Sequence, residues 1–252
     1  MLNQAPGERM KTIEIEDHEA ALKALNEQLQ IDPKKTAIVT IDMHRGHLDP
    51  VEATLPVPAE ESKRVCKNAH DLLTFARGQR IPVIHVIATF RESEVDKINP
   101  RIAAARVVLS KAAPRTEAQR RGVLHNIKGS IQTELMPEIG PEKGDYVVDN
   151  KKTFGCFQGT DLEHLLRIVL EVDTVVLMGI NTNTCVLCAA FESFNFCYKT
   201  VLISDCVASM YGQDLHTLGL QNVGRCLGWV LTANEFKEKI KACSTLNLRG
   251  AG

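Results

Sequence analysis

Six short runs of β-branched and apolar residues, separated by segments with the periodicity of amphipathic helices, dictate most of what this chain can become. The runs are Thr36–Asp42, Ile81–Ala88, Asp145–Asp149, Asp173–Gly179, Thr200–Ser204 and Gly228–Leu231. They are too short and too uniformly apolar for strands wet on one face, and suit strands buried on both faces of a parallel sheet. Between them lie helical patterns: Val65, Ala69, Leu72, Leu73 and Ala76, ending near Gly78; then Leu162, Leu165, Leu166 and Val169 within residues 161–171. Val186, Ala189, Ala190, Ser193 and Phe194 carry a further helix, residues 213–226 another, and Thr232 with Glu235 supplies a capping box for the last. Strand and helix alternate, so the predicted fold is α/β: a three-layer αβα sandwich with a parallel, doubly wound six-stranded sheet and right-handed crossovers.

The chain has 252 residues, 44% hydrophobic and 24% charged, with a net charge of −1. That describes one sizeable core and gives no basic field to draw nucleic acid or an anionic membrane. No apolar run approaches the roughly 20 residues of a bilayer span, and no apolar signal region opens the sequence, so a cytoplasmic location is expected. The eight cysteines lie mostly within apolar segments rather than at the spacing of a disulfide framework, and reduced thiols are expected. Residues 1–35 read as an N-terminal arm with a weak helical pattern through Ala21, Leu22, Leu25 and Leu29. Residues 36–243 read as a single domain and residues 244–252 as a C-terminal tail. Within the domain, residues 90–144 break the alternation with four prolines and many basic residues. They read as a functional insert holding helices near 98–110 and 115–127.

Chemistry concentrates where strands end. The strand Asp173–Gly179 runs into the polar turn Asn181-Thr182-Asn183-Thr184, which leaves Cys185 in the first turn of the following helix. Unpaired N–H groups and the positive helix end favour a thiolate there and can hold an oxyanion, so the sequence predicts a lowered thiol pKa. A small buried thiol in a helix is the competing reading. Asp42 closes the first strand with a carboxylate, a common position for ligand-site groups in open α/β sheets. Cys185 and Cys188 form a CxxC pair, but a thioredoxin-like reading lacks the fold order and leaves Asp42 without a role.

Asp42, the segment Lys151-Lys152-Thr153-Phe154-Gly155-Cys156-Phe157-Gln158-Gly159-Thr160, and Gly179-Ile180-Asn181-Thr182-Asn183-Thr184-Cys185-Val186 together resemble the isochorismatase-like cysteine hydrolases. The resemblance spans roughly residues 34–240. The family pattern of Lys, a small residue four positions on, then Ala-Phe and Gly-Thr, aligns with Lys151, Gly155, Cys156, Phe157, Gly159 and Thr160, selecting Lys151 over Lys152. The resemblance implies an Asp42–Lys151–Cys185 triad with Asp42 as base, Lys151 holding it ionised and Cys185 as nucleophile. It also implies a cis peptide at Ile180–Asn181 and an oxyanion hole from the backbone N–H groups of Asn181 and Cys185.

Where relatives read Asp-x-Gln-x-x-Phe, this chain has His44 and His47. These imidazoles, with Arg91, Phe154 and Gln213, are the expected substrate-binding residues; a structural hydrogen bond in the loop is the competing role for each histidine. His44, His47 and Asp49 also invite a metal reading, but their spacing departs from the Asp-x-His pattern of nicotinamidases, so no metal and no cofactor are expected. The resemblance therefore implies an amidohydrolase acting on a C–N bond of a small carbamoyl or ureido amide, such as biuret, guanylurea or an N-carbamoyl compound. The alternatives are a nicotinamidase-like aromatic amide hydrolase and a non-catalytic binding module on the same fold. A small-molecule amide is the expected partner, with no nucleic acid or membrane, and a homo-oligomer, dimer or tetramer, is the expected assembly.

Overall fold

The computed structural model describes residues 14–95, 97, 101 and 114–249, the last six of these by their backbone alone. Six strands form one sheet: β1 (Thr36–Ile41), β2 (Val83–Ala88), β3 (Tyr146–Lys151), β4 (Thr174–Ile180), β5 (Lys199–Ala208) and β6 (Trp229–Leu231). All pair in parallel in the order β3-β2-β1-β4-β5-β6. The order reverses between β1 and β4, and the crevice beyond the carboxyl ends of strands at such a switch point is where open α/β sheets bind ligands.

Successive residues of each strand serve opposite layers, as the two-residue period of a strand requires. Ile38 packs into one core with α3 (Ala59–Gly78) and Phe236 and Ile240 of the C-terminal helix. Ala37, Val39 and Ile41 pack into the other, with Leu162, Leu166, Val186, Ala189 and Ala190. Every residue of β1, β2 and β4 is buried, whereas β3, at the edge, buries only Val148 and Lys151. The N-terminal helix α1 (Glu19–Gln28) lies against β6: Asn26 Nδ2 donates to the Val230 carbonyl and Trp229 Nε1 to that of Leu25.

Several elements depart from the sequence expectations. The loop after Asp42 holds a short helix, α2 (Arg45–Leu48), because its backbone is pinned by Glu134 and by its own i to i−4 bonds. The helix expected over 115–127 closes after one turn, α4 (Glu117–Arg120); Thr116 caps it, and Gly122, at φ +66°, turns the chain away. The helix expected near 98–110 falls outside the described residues, apart from Arg101. The helical segments α5 (Leu162–His164) and α7 (Gln213–Asn222) each widen into a five-residue π turn, Leu165–Val169 and Val223–Leu227. A π turn, Thr182–Val186, likewise precedes α6 (Leu187–Asn195). The strand β3 runs two residues past Asp149, which puts Lys151 inside the sheet, and the Thr200–Ser204 strand extends to Ala208. The last helix, α8 (Ala233–Arg249), carries the expected capping box: Glu235 accepts from Thr232 N–H, and Thr232 Oγ1 accepts from Glu235 N–H.

Candidate active site

Three strand ends converge at the switch point. Asp42 follows β1, Lys151 ends β3 beside Ala88 of β2, and Cys185 sits in the π turn after β4. The sheet can bring these together only because β1 and β4 approach closely at Ile41 and Gly179. A Cβ on Gly179, at φ +127°, would stand 2.0 Å from the Ile41 carbonyl oxygen. The peptide Ile180–Asn181 that leads into the turn is cis. Asn181 Oδ1 accepts from Met210 N–H and Asn183 Oδ1 from Ser209 Oγ, tying the turn to the end of β5.

Lys151 Nζ donates to Asp42 Oδ2 at 2.6 Å and to Cys185 Sγ at 3.4 Å, and all three side chains are buried. The other carboxylate oxygen, Oδ1, accepts the Ala88 N–H at 2.8 Å. Asp42 itself is at φ +51°, left-handed backbone that short polar side chains tolerate best. Burial is the largest single effect and works to raise the Asp42 pKa, but the Lys151 ammonium, with smaller contributions from His44 and His47, outweighs it in sum and brings the carboxyl to about 2. Burial likewise disfavours the Lys151 charge most strongly, and the acidic groups around it, Asp42 first and then Cys185 and Cys156, outweigh it in sum and hold the ammonium well above the usual lysine range. The thiol behaves otherwise. Burial, together with the charge of Asp42, pushes Cys185 up to about 12 against the opposing pull of Lys151. This corrects the lowered pKa expected from a helix start: a thiolate beside an ionised Asp42 would leave a buried site with one ammonium and two anions. The resting arrangement is carboxylate, ammonium and thiol.

His44 and His47 are buried beside Asp42, their rings stacked with centroids 4.9 Å apart. His47 Nδ1 bonds the Leu55 carbonyl at 2.8 Å, and burial lowers its pKa. Asp49 turns away to accept Val51 and Glu52 N–H groups and pairs with Arg45. Among the described residues no three His, Cys, Asp or Glu side chains are disposed to hold a metal ion. Arg91, Phe154 and Gln213 are exposed, and the Arg91 guanidinium is engaged by Glu94. Lys152 points away from Asp42 and reaches the Thr89 carbonyl and Glu94.

The site also contains residues that the sequence reading passed over. Glu192 of α6 accepts from the N–H groups of Cys156, Phe157 and Gln158, fastening the loop after Lys151 to the helix after Cys185. Gly155 is what lets it in, since a Cβ there would meet the Glu192 carboxylate at 2.5 Å. Its place seven residues after Cys185, on the same helical stretch, was a usable signal. Tyr211 lies near Cys185, and burial is the main effect that raises its pKa. Asn126, from the insert, is buried against His44 and Ala88, and nothing in its local sequence marks it.

A parallel doubly wound sheet with a cysteine, a lysine and an aspartate gathered at its switch point defines an open α/β scaffold built around a buried thiol. The chain belongs to the isochorismatase family: the isochorismatase domain model matches residues 36–235. It is 31% identical over 213 residues to the isochorismatase family protein YwoC of Bacillus subtilis (strain 168), covering 84% of this chain and 98% of that one. It is 25% identical over 239 residues to the ureidoacrylate amidohydrolase RutB of Rhizobium rhizogenes (strain K84 / ATCC BAA-868), covering 92% of each. The same fold is seen in a cysteine hydrolase from Pseudomonas syringae pv. phaseolicola 1448A, with a TM-score of 0.71 and 23% identity over 85% of this chain and 96% of that one. It recurs in N-carbamoylsarcosine amidase from Thermoplasma acidophilum, with a TM-score of 0.60 and 24% identity over 79% of this chain and 96% of that one. Among the described residues no helix is long and apolar enough to cross a membrane.

Proposed function

We propose that this hydrolase is a cysteine-dependent amidohydrolase that cleaves a C–N bond of a small carbamoyl or ureido amide. The observation that carries the reading is the double contact of Lys151 Nζ with Asp42 Oδ2 and Cys185 Sγ. One buried cation serves both a carboxylate base and a sulfur nucleophile, so the thiol proton can pass to Asp42 without changing the net charge of the group. The thiolate then attacks the substrate carbonyl. The carbonyl π electrons move to oxygen, and the backbone N–H groups of Asn181 and Cys185 are assigned to that oxyanion. As the C–N bond breaks, Asp42 returns its proton to the departing nitrogen, leaving a thioester on Cys185 and free ammonia or amine. Asp42 next takes a proton from water, whose hydroxyl attacks the thioester, and the tetrahedral adduct expels the Cys185 sulfur, which recovers the proton.

A ureido or carbamoyl substrate is favoured by the amidohydrolase name and near full-length match of RutB. The test is ammonia release across biuret, guanylurea, ureido acids, N-carbamoyl amino acids and nicotinamide. The ureido and carbamoyl members should turn over and nicotinamide should not, and Cys185→Ala should abolish the activity. Undiminished turnover by Cys185→Ala would sink the thioester route, and nicotinamide as best substrate would sink the substrate class.

A further inference from the structure

Asn126 lies beyond α4 in the insert, fully buried and at φ +53°. Its Nδ2 donates to the Ala88 carbonyl at 3.0 Å and stands 2.9 Å from Nε2 of His44. A carbonyl oxygen can only accept, so the Ala88 bond decides which end of the amide faces this pair: the NH2 end. An imidazole nitrogen that meets an NH2 group must offer a lone pair. Neutral His44 therefore carries its proton on Nδ1. Gly46 is shaped to the same arrangement, because a Cβ there would come within 2.4 Å of Asn126 Oδ1 and 3.0 Å of His44 Cε1.

The tautomer bears on the base. His44 Nε2 is 3.7 Å from Asp42 Oδ1, the oxygen that already accepts the Ala88 N–H, while Oδ2 accepts Lys151. A proton on Nε2 would give Asp42 a third donor and compete for the lone pairs that must receive the thiol proton. Asn126 touches both parts of this arrangement: the lone pair on His44 and the carbonyl of Ala88, the residue whose N–H orients Asp42. Four groups face His44 from the packed elements: Asp42, Lys151, the stacked His47, and His125 with its centroid 6.0 Å away. Burial first, then His47 and Lys151, oppose an imidazolium and Asp42 favours one, with the balance bringing His44 to about 3.

We infer that Asn126 is a positioning residue for the general base, fixing His44 as the neutral Nδ1–H tautomer so that Asp42 keeps lone-pair capacity for the Cys185 proton. The inference rests on the reading of Asp42 as the base, and its first test does not depend on turnover. Nitrogen NMR of histidine-labelled wild-type protein, with the His44 signals assigned by their loss in His44→Gln, should show a protonated Nδ1 and a bare Nε2 at about pH 7. A bare Nδ1, or an imidazolium, would overturn the inference even if the enzyme turned over as proposed. The second test is Asn126→Asp, whose carboxylate faces Nε2 and recruits a proton there. Its kcat/KM should fall below wild type by about tenfold more at pH 6 than at pH 9, with an imidazolium signal appearing over the same range. A pH profile and tautomer like those of wild type would also overturn it. Retained turnover in Cys185→Ala, by contrast, would remove the thioester route and leave the tautomer assignment standing.

Discussion

A thiolate at position 185 has to be made within the site, because burial and the Asp42 charge raise the thiol to about 12 while Lys151 lowers it only in part. The two partners therefore act on the thiol with opposite sign, which single substitutions can separate. Asp42→Asn removes a charge that raises the pKa, so alkylation of Cys185, followed by mass spectrometry, should rise at a lower pH than in wild type although turnover is lost. Lys151→Met removes the opposing cation and should shift the same curve to higher pH. If both variants move the curve in one direction, the charges are not arranged as described here. The adjacent lysines give a second prediction. Lys151 is buried on Asp42 and Cys185, whereas Lys152 reaches Thr89 and Glu94 at the surface. Lys151→Met should cost about 10²-fold or more in kcat, as for loss of an electrostatic stabiliser, and Lys152→Met should cost little. Equal losses would assign the motif to the wrong lysine.

Elements reach this arrangement through contacts that tolerate no extra atom, and Gly179 is the sharpest case. Ile41 and Gly179 are register partners on β1 and β4, and a Cβ at 179 would overlap the Ile41 carbonyl in a backbone conformation that alanine resists. Gly179→Ala should destabilise the fold by about 4 kcal/mol or more, in the range of severe single substitutions. Gly78→Ala, at the end of α3 with open space around it, should be neutral or stabilising by about 0.5–1 kcal/mol. Urea denaturation of both variants checks the pair, and similar midpoints would refute the close-approach argument. The strands were legible in the sequence because burial on both faces demands runs that are almost entirely apolar, as in Ala37 to Val39 and Val175 to Met178. Asp42 and Cys185 were legible because each ends or follows such a run, whereas Lys151, two residues past the strand as read from the sequence, was legible only through its motif's resemblance to the family pattern. What escaped was the contribution of the insert. Asn126 contacts His44 across 82 positions of sequence, and its short neighbouring helix α4 is set by Thr116 and the loop it caps rather than by a long apolar face. The thiol pKa was misjudged for a related reason: a helix start can be read from residues, while the net charge of a buried group requires knowing which side chains meet.

Across the whole molecule, burying neutral imidazoles links folding to pH. His44 and His47 are both shifted down, chiefly by burial, His44 to about 3 from an ordinary 6.5. Between those values the unfolded chain binds protons that the folded chain excludes, so unfolding becomes easier as pH falls below 6.5 and the loss continues until pH passes the folded value. Each such histidine contributes a slope of at most about 1.4 kcal/mol per pH unit within its window. Asp42, lowered to about 2, and Asp145, lowered by its bonds to His85 and Arg77 against the opposing effect of burial, add their own losses, but only as pH falls below the carboxylate range near 3.8. The two classes therefore act in different windows. Denaturant titrations should show stability falling already between about pH 6.5 and 4.5, before the carboxylates titrate. In His44→Gln/His47→Phe that early fall should be reduced, though not removed, because His216, lowered mainly by its own burial beside Arg64, remains. The steep loss below the carboxylate range should persist in the same variant, since the Lys151–Asp42 and Arg77–Asp145 pairs are untouched. An unchanged early slope would mean that the two imidazoles are charged in the folded protein, contrary to their packing against each other.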